Sequence, residues 1–430
     1  MRSNSAKMFL VFFCLCLFLL PGCWGARETD ELAYILTLGI DKGTENVINV
    51  TFQMALPRGK EEKGSGGEGG GEKEKTTEII SVEAASLFGA LQLASAFSAR
   101  EPTLIHNRTV IVSGDIAREG LARYINPLLR SREIRRNTFI VVTPGKARDF
   151  IEKNKPPSEK NPSRQFELAF EAADYAGFMM NSIINEFSEN MKSPGREAVT
   201  ALVNVNEGRK GRENGRSVEE KAGREVACLP GEIAREGGNK IDIIGLAAFR
   251  GDRLAGYLNG SETRYYQMAS GKFRSAIITF PDPEKPGEDI IVMRLRKGRN
   301  PVVRVDLSGP VPLIDENIIL EGEILSIQSG INYELGEKER QLQRYLEDYI
   351  TREITKVIEK TQKEFKSDIF GFGNYTRRFF WTWQDWQDYR WLDKYPEAKV
   401  KVRTNLKIRR PGLMIRTIPV KGSLEGENSW

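Results

Sequence analysis

An α+β protein of several units is what the sequence predicts: mixed α/β structure with a strand-rich C-terminal domain packed by a long amphipathic helix. Three observations lead there. Apolar residues alternate with period two in stretches near both ends, at Val47–Leu56 and again at Val400–Ile408. Other segments space their apolar residues three and four apart, as a core-facing helix requires. And 430 residues exceed what one compact core accommodates, so two or three folded units are expected.

The N-terminus carries the strongest local pattern. Arg2 to Lys7 is short and positive, and Met8 to Leu20 is an apolar run ending at Pro21-Gly22-Cys23. That pattern predicts a secretory signal peptide over residues 1–22. The run is well short of the roughly 20 residues needed to span a bilayer. Leu20-Pro21-Gly22-Cys23 resembles the bacterial lipobox, whose cysteine receives diacylglycerol, with Pro21 in place of the usual small residue. Cys23 is thus the expected lipidation site and membrane attachment, at the outer face of a bacterial membrane. Each buried acyl CH₂ contributes about 0.8 kcal/mol, so two or three chains anchor stably where one is marginal.

The remaining elements follow in order. Leu32–Ile40 and Val47–Leu56 read as a hairpin with one buried face, and 58–76 as a solvated Gly/Glu/Lys loop without the Gly-Lys-Ser/Thr of a phosphate cradle. Ser81 is expected to cap a helix through Phe97. A strand at Thr109–Ser113, a helix carrying Leu121, Tyr124, Ile125 and Leu128, a strand at Phe139–Val142 and a helix from Pro144 toward Ile151 come next. These belong to an N-terminal region over 23–200, with a smaller middle domain possible from about 153 that includes Val199–Val205. Residues 201–240 read as a charged linker or insertion.

The C-terminal region is expected over 241–415. It opens with a hairpin of Ile241–Phe249 and Leu254–Leu258 around Arg250-Gly251-Asp252, a triplet read as an ordinary turn. Strands at Ile290–Leu295, Val302–Leu307 and Asn317–Ile327 follow. Leu342, Leu346, Tyr349, Ile350, Val357, Ile358 and Phe365 then mark one face of a long helix, and Val400–Ile408 closes the fold before a polar tail at 416–430.

Composition narrows the chemistry. With 64 basic and 59 acidic residues the charges are interspersed, which is not the profile of a nucleic-acid binder. Cys14 and Cys16 lie in the leader and Cys23 at its end, which leaves Cys228 as the folded part's one thiol, so neither a disulfide framework nor a thiolate metal site is expected. His106 is the single histidine. No nucleophile elbow, Walker loop or His-Glu-x-x-His occurs, and Asp368 ahead of Gly371 reads as a cap or turn former. No catalytic, cofactor or metal residues are therefore assigned, and an enzyme is not expected. Two clusters stand out. Arg130, Arg132, Arg135 and Arg136 are either solvated charge at a helix end or a dock for anionic headgroups or an acidic partner. Trp381, Trp383, Trp386 and Trp391 are read first as a core plug beneath the long helix, otherwise as a partner-facing patch.

Taken in order, several stretches resemble the Ger(x)C family of spore germination lipoproteins, the C subunits of nutrient germinant receptors. They are Cys23-Trp24-Gly25-Ala26-Arg27-Glu28, Leu38-Gly39-Ile40-Asp41, His106 to Asp115 leading to Gly120-Leu121, Ile244 to Phe249, and Leu254-Ala255-Gly256-Tyr257-Leu258. Asp368-Ile369-Phe370-Gly371-Phe372-Gly373, the tryptophan stretch and Val400 to Arg409 complete the set. The 59–76 loop and the 207–224 run look like insertions, and Gly25-Ala26 replaces a more polar pair. The resemblance implies a three-domain mixed α and β protein on the outer surface of the spore inner membrane, beside a multi-spanning subunit and a permease-like germinant receptor subunit that senses nutrients. Two other readings stay open: a lipid-anchored extracytoplasmic solute-binding protein, which would show two similar α/β lobes, and a secreted hydrolase.

Overall fold

The computed structural model describes residues 28, 31–45, 47–56, 76–157, 159, 162–208, 226–334 and 336–410. The expected signal peptide, Cys23, nearly all of the 58–76 loop and of the charged run, and the polar tail lie outside the described residues.

The first half builds a sheet from β1 (Leu32–Lys42), β2 (Ile48–Ala55), β3 (Thr77–Ala84), β4 (Glu101–Thr103), β5 (Thr109–Ser113), β6 (Phe139–Thr143) and β7 (Val199–Val205). Two more strands, β8 (Ile241–Arg250) and β9 (Arg253–Leu258), complete it in the order β3-β2-β1-β5-β6-β7-β8-β9, with β4 beside the start of β1. Its centre, β1-β5-β6-β7, is parallel and its flanks are antiparallel. Every residue of Thr109–Ser113 is buried, as expected for a parallel strand covered on both faces. One face is covered by α1 (Leu87–Ala94), α2 (Gly114–Glu119), α3 (Ala122–Arg130) and α6 (Ile184–Met191), the other by α4 (Ala147–Lys153) and α5 (Pro162–Ala176).

The hairpin and the helix carrying Tyr124, Ile125 and Leu128 form as the periodicity indicates. Several local expectations change. Residues Thr77–Ala84 form a strand, so no helix starts at Ser81: they pair with β2, and the Ser81 hydroxyl meets Thr51 Oγ1 at 2.9 Å. The helix starts later, capped by Ser86, whose hydroxyl accepts from the Gly89 N–H at 3.1 Å. Sheet pairing overrides the capping signal. The stretch after Lys153 is shorter than its composition suggests, because α5 begins at Pro162 and buries Phe166 against Phe150 and Phe170 against Phe139. Val199–Val205 and the 241–258 hairpin, which sequence assigns to a middle and a C-terminal region, both hydrogen-bond into this first sheet.

After α7 (Gly260–Ala269) comes a second sheet of β10 (Ser275–Pro281), β11 (Ile290–Asp306), β12 (Leu313–Ile327) and β13 (Lys399–Arg410), in that order. The expected strands at Ile290–Leu295 and Val302–Leu307 are one strand, β11, irregular in register between Lys297 and Val302, where Pro301 cannot donate to a ladder. Antiparallel pairs join β10, β11 and β12, whereas β12 and β13 run parallel. A parallel pair needs a long crossover, and α8 (Gly336–Lys360) provides it. Leu342, Leu346, Ile350, Ile354, Val357 and Ile358 are buried along α8, each aliphatic contributing about 1.5–3 kcal/mol. The two sheets differ in strand order and direction, and are not the two similar lobes of a solute-binding protein.

The two sheets meet where β8 and β9 face the end of α8. Lys360 donates to the Tyr257 carbonyl at 3.1 Å and to Glu262 of α7 at 2.7 Å. Phe365, in the π turn Thr361–Phe365, packs on β9 at Gly256, where an added Cβ would lie 2.2 Å from its ring. Gly256→Ala must therefore push the two sheets apart. We expect a loss of about 1–3 kcal/mol, seen as a lowered melting temperature, with far-ultraviolet circular dichroism unchanged below the transition.

Candidate functional site

The residues that usually announce chemistry do not converge. Among the described residues no three of His, Cys, Asp and Glu are grouped to hold a metal. His106 lies edge-on to Tyr34, with ring centroids 4.8 Å apart. Cys228 is half-buried, and burial pushes its thiol up, away from the reactive thiolate form. The Arg-Gly-Asp turn is internal scaffolding: the Asp252 carbonyl accepts from the Leu121 N–H at 2.8 Å, and its carboxylate from the Ala122 N–H at 3.2 Å.

A polar site that ties the two sheets together is centred on Asp368. The chain leaves the π turn through Lys366, held at φ 49°, and the Ser367 hydroxyl donates to the Phe249 carbonyl at the end of β8. Asp368 follows with no exposure at all. Its Oδ1 accepts from the Gly371 N–H at 2.8 Å; its Oδ2 accepts from the Gly373 N–H at 2.9 Å and from Trp391 Nε1–H at 2.7 Å. The Asp368 carbonyl accepts from the Glu197 N–H at 2.9 Å, just before β7. Gly373 admits no side chain: a Cβ there would lie 2.1 Å from Trp391 Cδ1 and 2.6 Å from the Gly195 carbonyl oxygen. One residue thus pins three segments: its carboxylate holds the loop after α8 and α11 (Trp391–Lys394), and its carbonyl holds the approach to β7.

Two further buried carboxyl groups surround it. Glu197 Oε2 accepts from the Gly251 N–H at 2.7 Å in the β8–β9 turn. Burial pushes the Glu197 carboxyl up to about 7 against that hydrogen bond, and the Asp368 charge adds to the rise. Glu316 lies on β12 among the inward-facing Ile314, Ile318 and Leu320, and neither of its carboxyl oxygens has a hydrogen-bond partner. Burial, and then the Asp368 charge, push it up to about 8. Asp368 itself is raised by burial, against the pull of the N–H donors of Gly373, Trp391 and Gly371. Close by, the buried Tyr395 hydroxyl and Thr361 Oγ1 are 2.7 Å apart. The arrangement can hold elements together and can hold protons.

The tryptophan cluster divides. Trp391 and Trp386 are buried as the core reading requires, Trp386 donating through Nε1 to Thr376 Oγ1 at 2.9 Å in α9 (Phe372–Thr376). Trp383, at the start of α10 (Trp383–Asp388), lies edge-on to Trp386 at 4.9 Å yet is half-exposed, and Trp381 is 97% exposed. Arg130, Arg132, Arg135 and Arg136 are all exposed at the end of α3 and in the turn to β6; Arg136 donates to Asn185 Oδ1 at 2.9 Å. Sequence reading recognised Asp368 as a turn former but passed over Glu197 and Glu316. The signal for Glu316 was present: a carboxylate at an inward position of an alternating strand.

Comparison with known proteins matches both halves. A family model described as spore germination protein N-terminal domain matches residues 25–205, and one described as spore germination B3/GerAC like, C-terminal, matches 244–412. In Bacillus subtilis (strain 168), spore germination protein KC is 25% identical over 430 residues, covering 96% of this chain and 97% of that protein. Putative spore germination protein YfkR is 24% identical over 403 residues (93% and 95%), and spore germination protein B3 is 21% identical over 373 residues (85% and 86%). The crystal structure of the GerBC protein superposes with a TM-score of 0.52 at 15% identity, covering 86% of this chain and 96% of that one.

The junction makes stability depend on pH. An unfolded glutamate ionises near 4.5, whereas Glu197 and Glu316 hold their protons to about 7 and about 8. Above pH 4.5 the unfolded state therefore binds fewer protons, so stability falls as pH rises, and levels off once both groups ionise in the folded state. Glu316→Gln should melt like the native chain near pH 5 and above it near pH 9, by differential scanning fluorimetry. Asp368→Ala leaves three buried N–H donors unpaired and should cost about 3 kcal/mol or more at any pH.

Proposed function

The chain belongs to the Ger(x)C family of spore germination proteins, and from that premise we propose that it is the lipid-anchored C subunit of a spore nutrient germinant receptor. The observation that carries this is the pair of family matches at 25–205 and 244–412, which together take in both sheets and the junction. The named relatives are germination proteins along nearly their whole lengths, which supports a role in germination.

Attachment in this proposal is through diacylglyceryl-Cys23, at the outer face of the spore inner membrane. No helix among the described residues is long and apolar enough to cross a membrane, and the anchor rests on the Leu20-Pro21-Gly22-Cys23 motif. Lipid holds the folded part beside its partners, a multi-spanning subunit and a permease-like subunit. The protein is not an enzyme in this reading; it supports or relays a change in its membrane-spanning partners that opens ion flow. The junction suits that role, because Asp368 makes the first sheet, α8 and the aromatic loop move together.

Nutrient-triggered dipicolinate release tests the proposal, in spores lacking the gene and complemented with the native chain or with Cys23→Ala. The native chain should restore release and Cys23→Ala should fail to do so while still being detected in the spore. Normal release from the deletion strain with every nutrient would overturn the receptor role. Full rescue by Cys23→Ala would overturn the anchor alone.

A further inference from the structure

We propose that the end of the first sheet at which the chain enters β1 is the face that rests on the bilayer. It would contact an anionic lipid surface through the exposed aromatic residues Phe379, Trp381 and Trp383 and through Arg132, Arg135 and Arg136. The inference rests on the reading of Cys23 as the anchor and adds an orientation to it.

Strand direction places these residues together. The strands β1, β5, β6 and β7 are parallel, and their paired residues, Thr37 with Thr109, Thr109 with Phe139 and Val141 with Ala201, set their N-terminal ends at one end of the sheet. At that end β1 begins at Leu32, nine residues after Cys23. Arg132, Arg135 and Arg136 occupy the turn that enters β6 at the same end. The aromatic loop arrives there too: Trp386 lies 2.6 Å from where a Cβ of Gly195 would stand, just ahead of β7, and Trp383 packs on Trp386.

The chemistry fits one occupant. Trp381 at 97% exposure, with Trp383 and Phe379 about half exposed, is a large apolar display for water but the usual composition of a membrane–water interface, where tryptophan is enriched. The Arg378 guanidinium lies 5.1 Å from the Phe379 ring, so the loop carries positive charge beside its aromatic groups. The acid nearest the arginine cluster in sequence is not spent on it: Glu133 accepts from the Leu104 N–H at 2.8 Å and the Thr103 hydroxyl at 3.1 Å. Among the described residues Arg132, Arg135 and Arg136 form no salt bridge, which leaves them for anionic headgroups. A protein groove would also accept tryptophan. The bilayer is favoured because the chain continues toward Cys23 from this same end.

The test uses the full lipidated chain in a Trp24→Phe, Trp430→Phe background, which silences the tryptophans outside the described residues. It is reconstituted into phosphatidylglycerol and phosphatidylcholine vesicles whose acyl chains are brominated. Flotation with the vesicles is read first, then quenching of tryptophan emission. The chain should float and be quenched, and Trp381→Phe should lower the quenching by about twofold or more. Arg132→Gln, Arg135→Gln, Arg136→Gln combined, or high salt, should lower it with the protein still afloat. Melting temperatures matching the parent confirm that each variant is folded, as expected for exposed positions. A chain that floats yet shows no Trp381-dependent quenching overturns this orientation and leaves the anchor standing, including the case in which Trp381→Phe spores germinate poorly through a protein contact. A native chain that does not float overturns both.

Discussion

One buried carboxylate organises the molecule. Asp368 is wholly removed from solvent, and its oxygens take N–H donors from Gly371, Gly373 and Trp391 while its own carbonyl holds the strand leading to β7. Burying such a group is costly unless its lone pairs are filled, and a carboxylate that receives three N–H donors meets that condition. The consequence is geometric. The loop 367–373 can take only the path on which those donors point inward, so α8 on one side and α11 on the other are set relative to the first sheet.

Around this centre the junction is not optimised for stability. Glu316 sits in an otherwise aliphatic row on β12 with no hydrogen-bond partner, and keeping it neutral at physiological pH or ionising it there both disfavour the fold. A leucine at that position would pack without this cost. Buried acids with raised ionisation ranges are candidates for sites that answer to protonation, and three of the four here, Glu197, Glu316 and Asp368, gather at the seam between sheets, while Asp41 lies apart in β1.

Much of the architecture was legible in the residues. The β1–β2 hairpin, the buried run Thr109–Ser113, the α8 face of Leu342, Leu346, Ile350, Val357 and Ile358, and the alternation in β13 all follow from the local sequence pattern, because each is decided by which neighbours in sequence share a face. What failed was decided by distant partners. Thr77–Ala84 is a strand because β2 offers it an edge, and Val199–Val205 with the 241–258 hairpin joins the first sheet by pairing with residues far away in sequence. The site followed the same division. Asp368 could be recognised as a turn former from its own neighbourhood, but its grip on Trp391 and Glu197, 23 positions ahead and 171 behind, required the fold.

The exposed aromatic loop and the buried carboxylate are joined by an unbroken series of contacts. Trp383 packs edge-on against Trp386, whose indole donates to Thr376 Oγ1; that hydroxyl donates to the Gly373 carbonyl at 2.7 Å, and the Gly373 N–H donates to Asp368. From Asp368 the series continues through the Glu197 N–H to the carboxylate that holds the Gly251 N–H, in the turn between β8 and β9. Each member is buried or half-buried, so none can be replaced by water without rearrangement. A movement of the aromatic loop therefore has to strain these bonds or carry the ends of β7 and β8 with it. Under the attachment proposed above, such a linkage would give the folded part a means to respond to what happens at its surface. The junction determines which parts of the folded chain are held to one another.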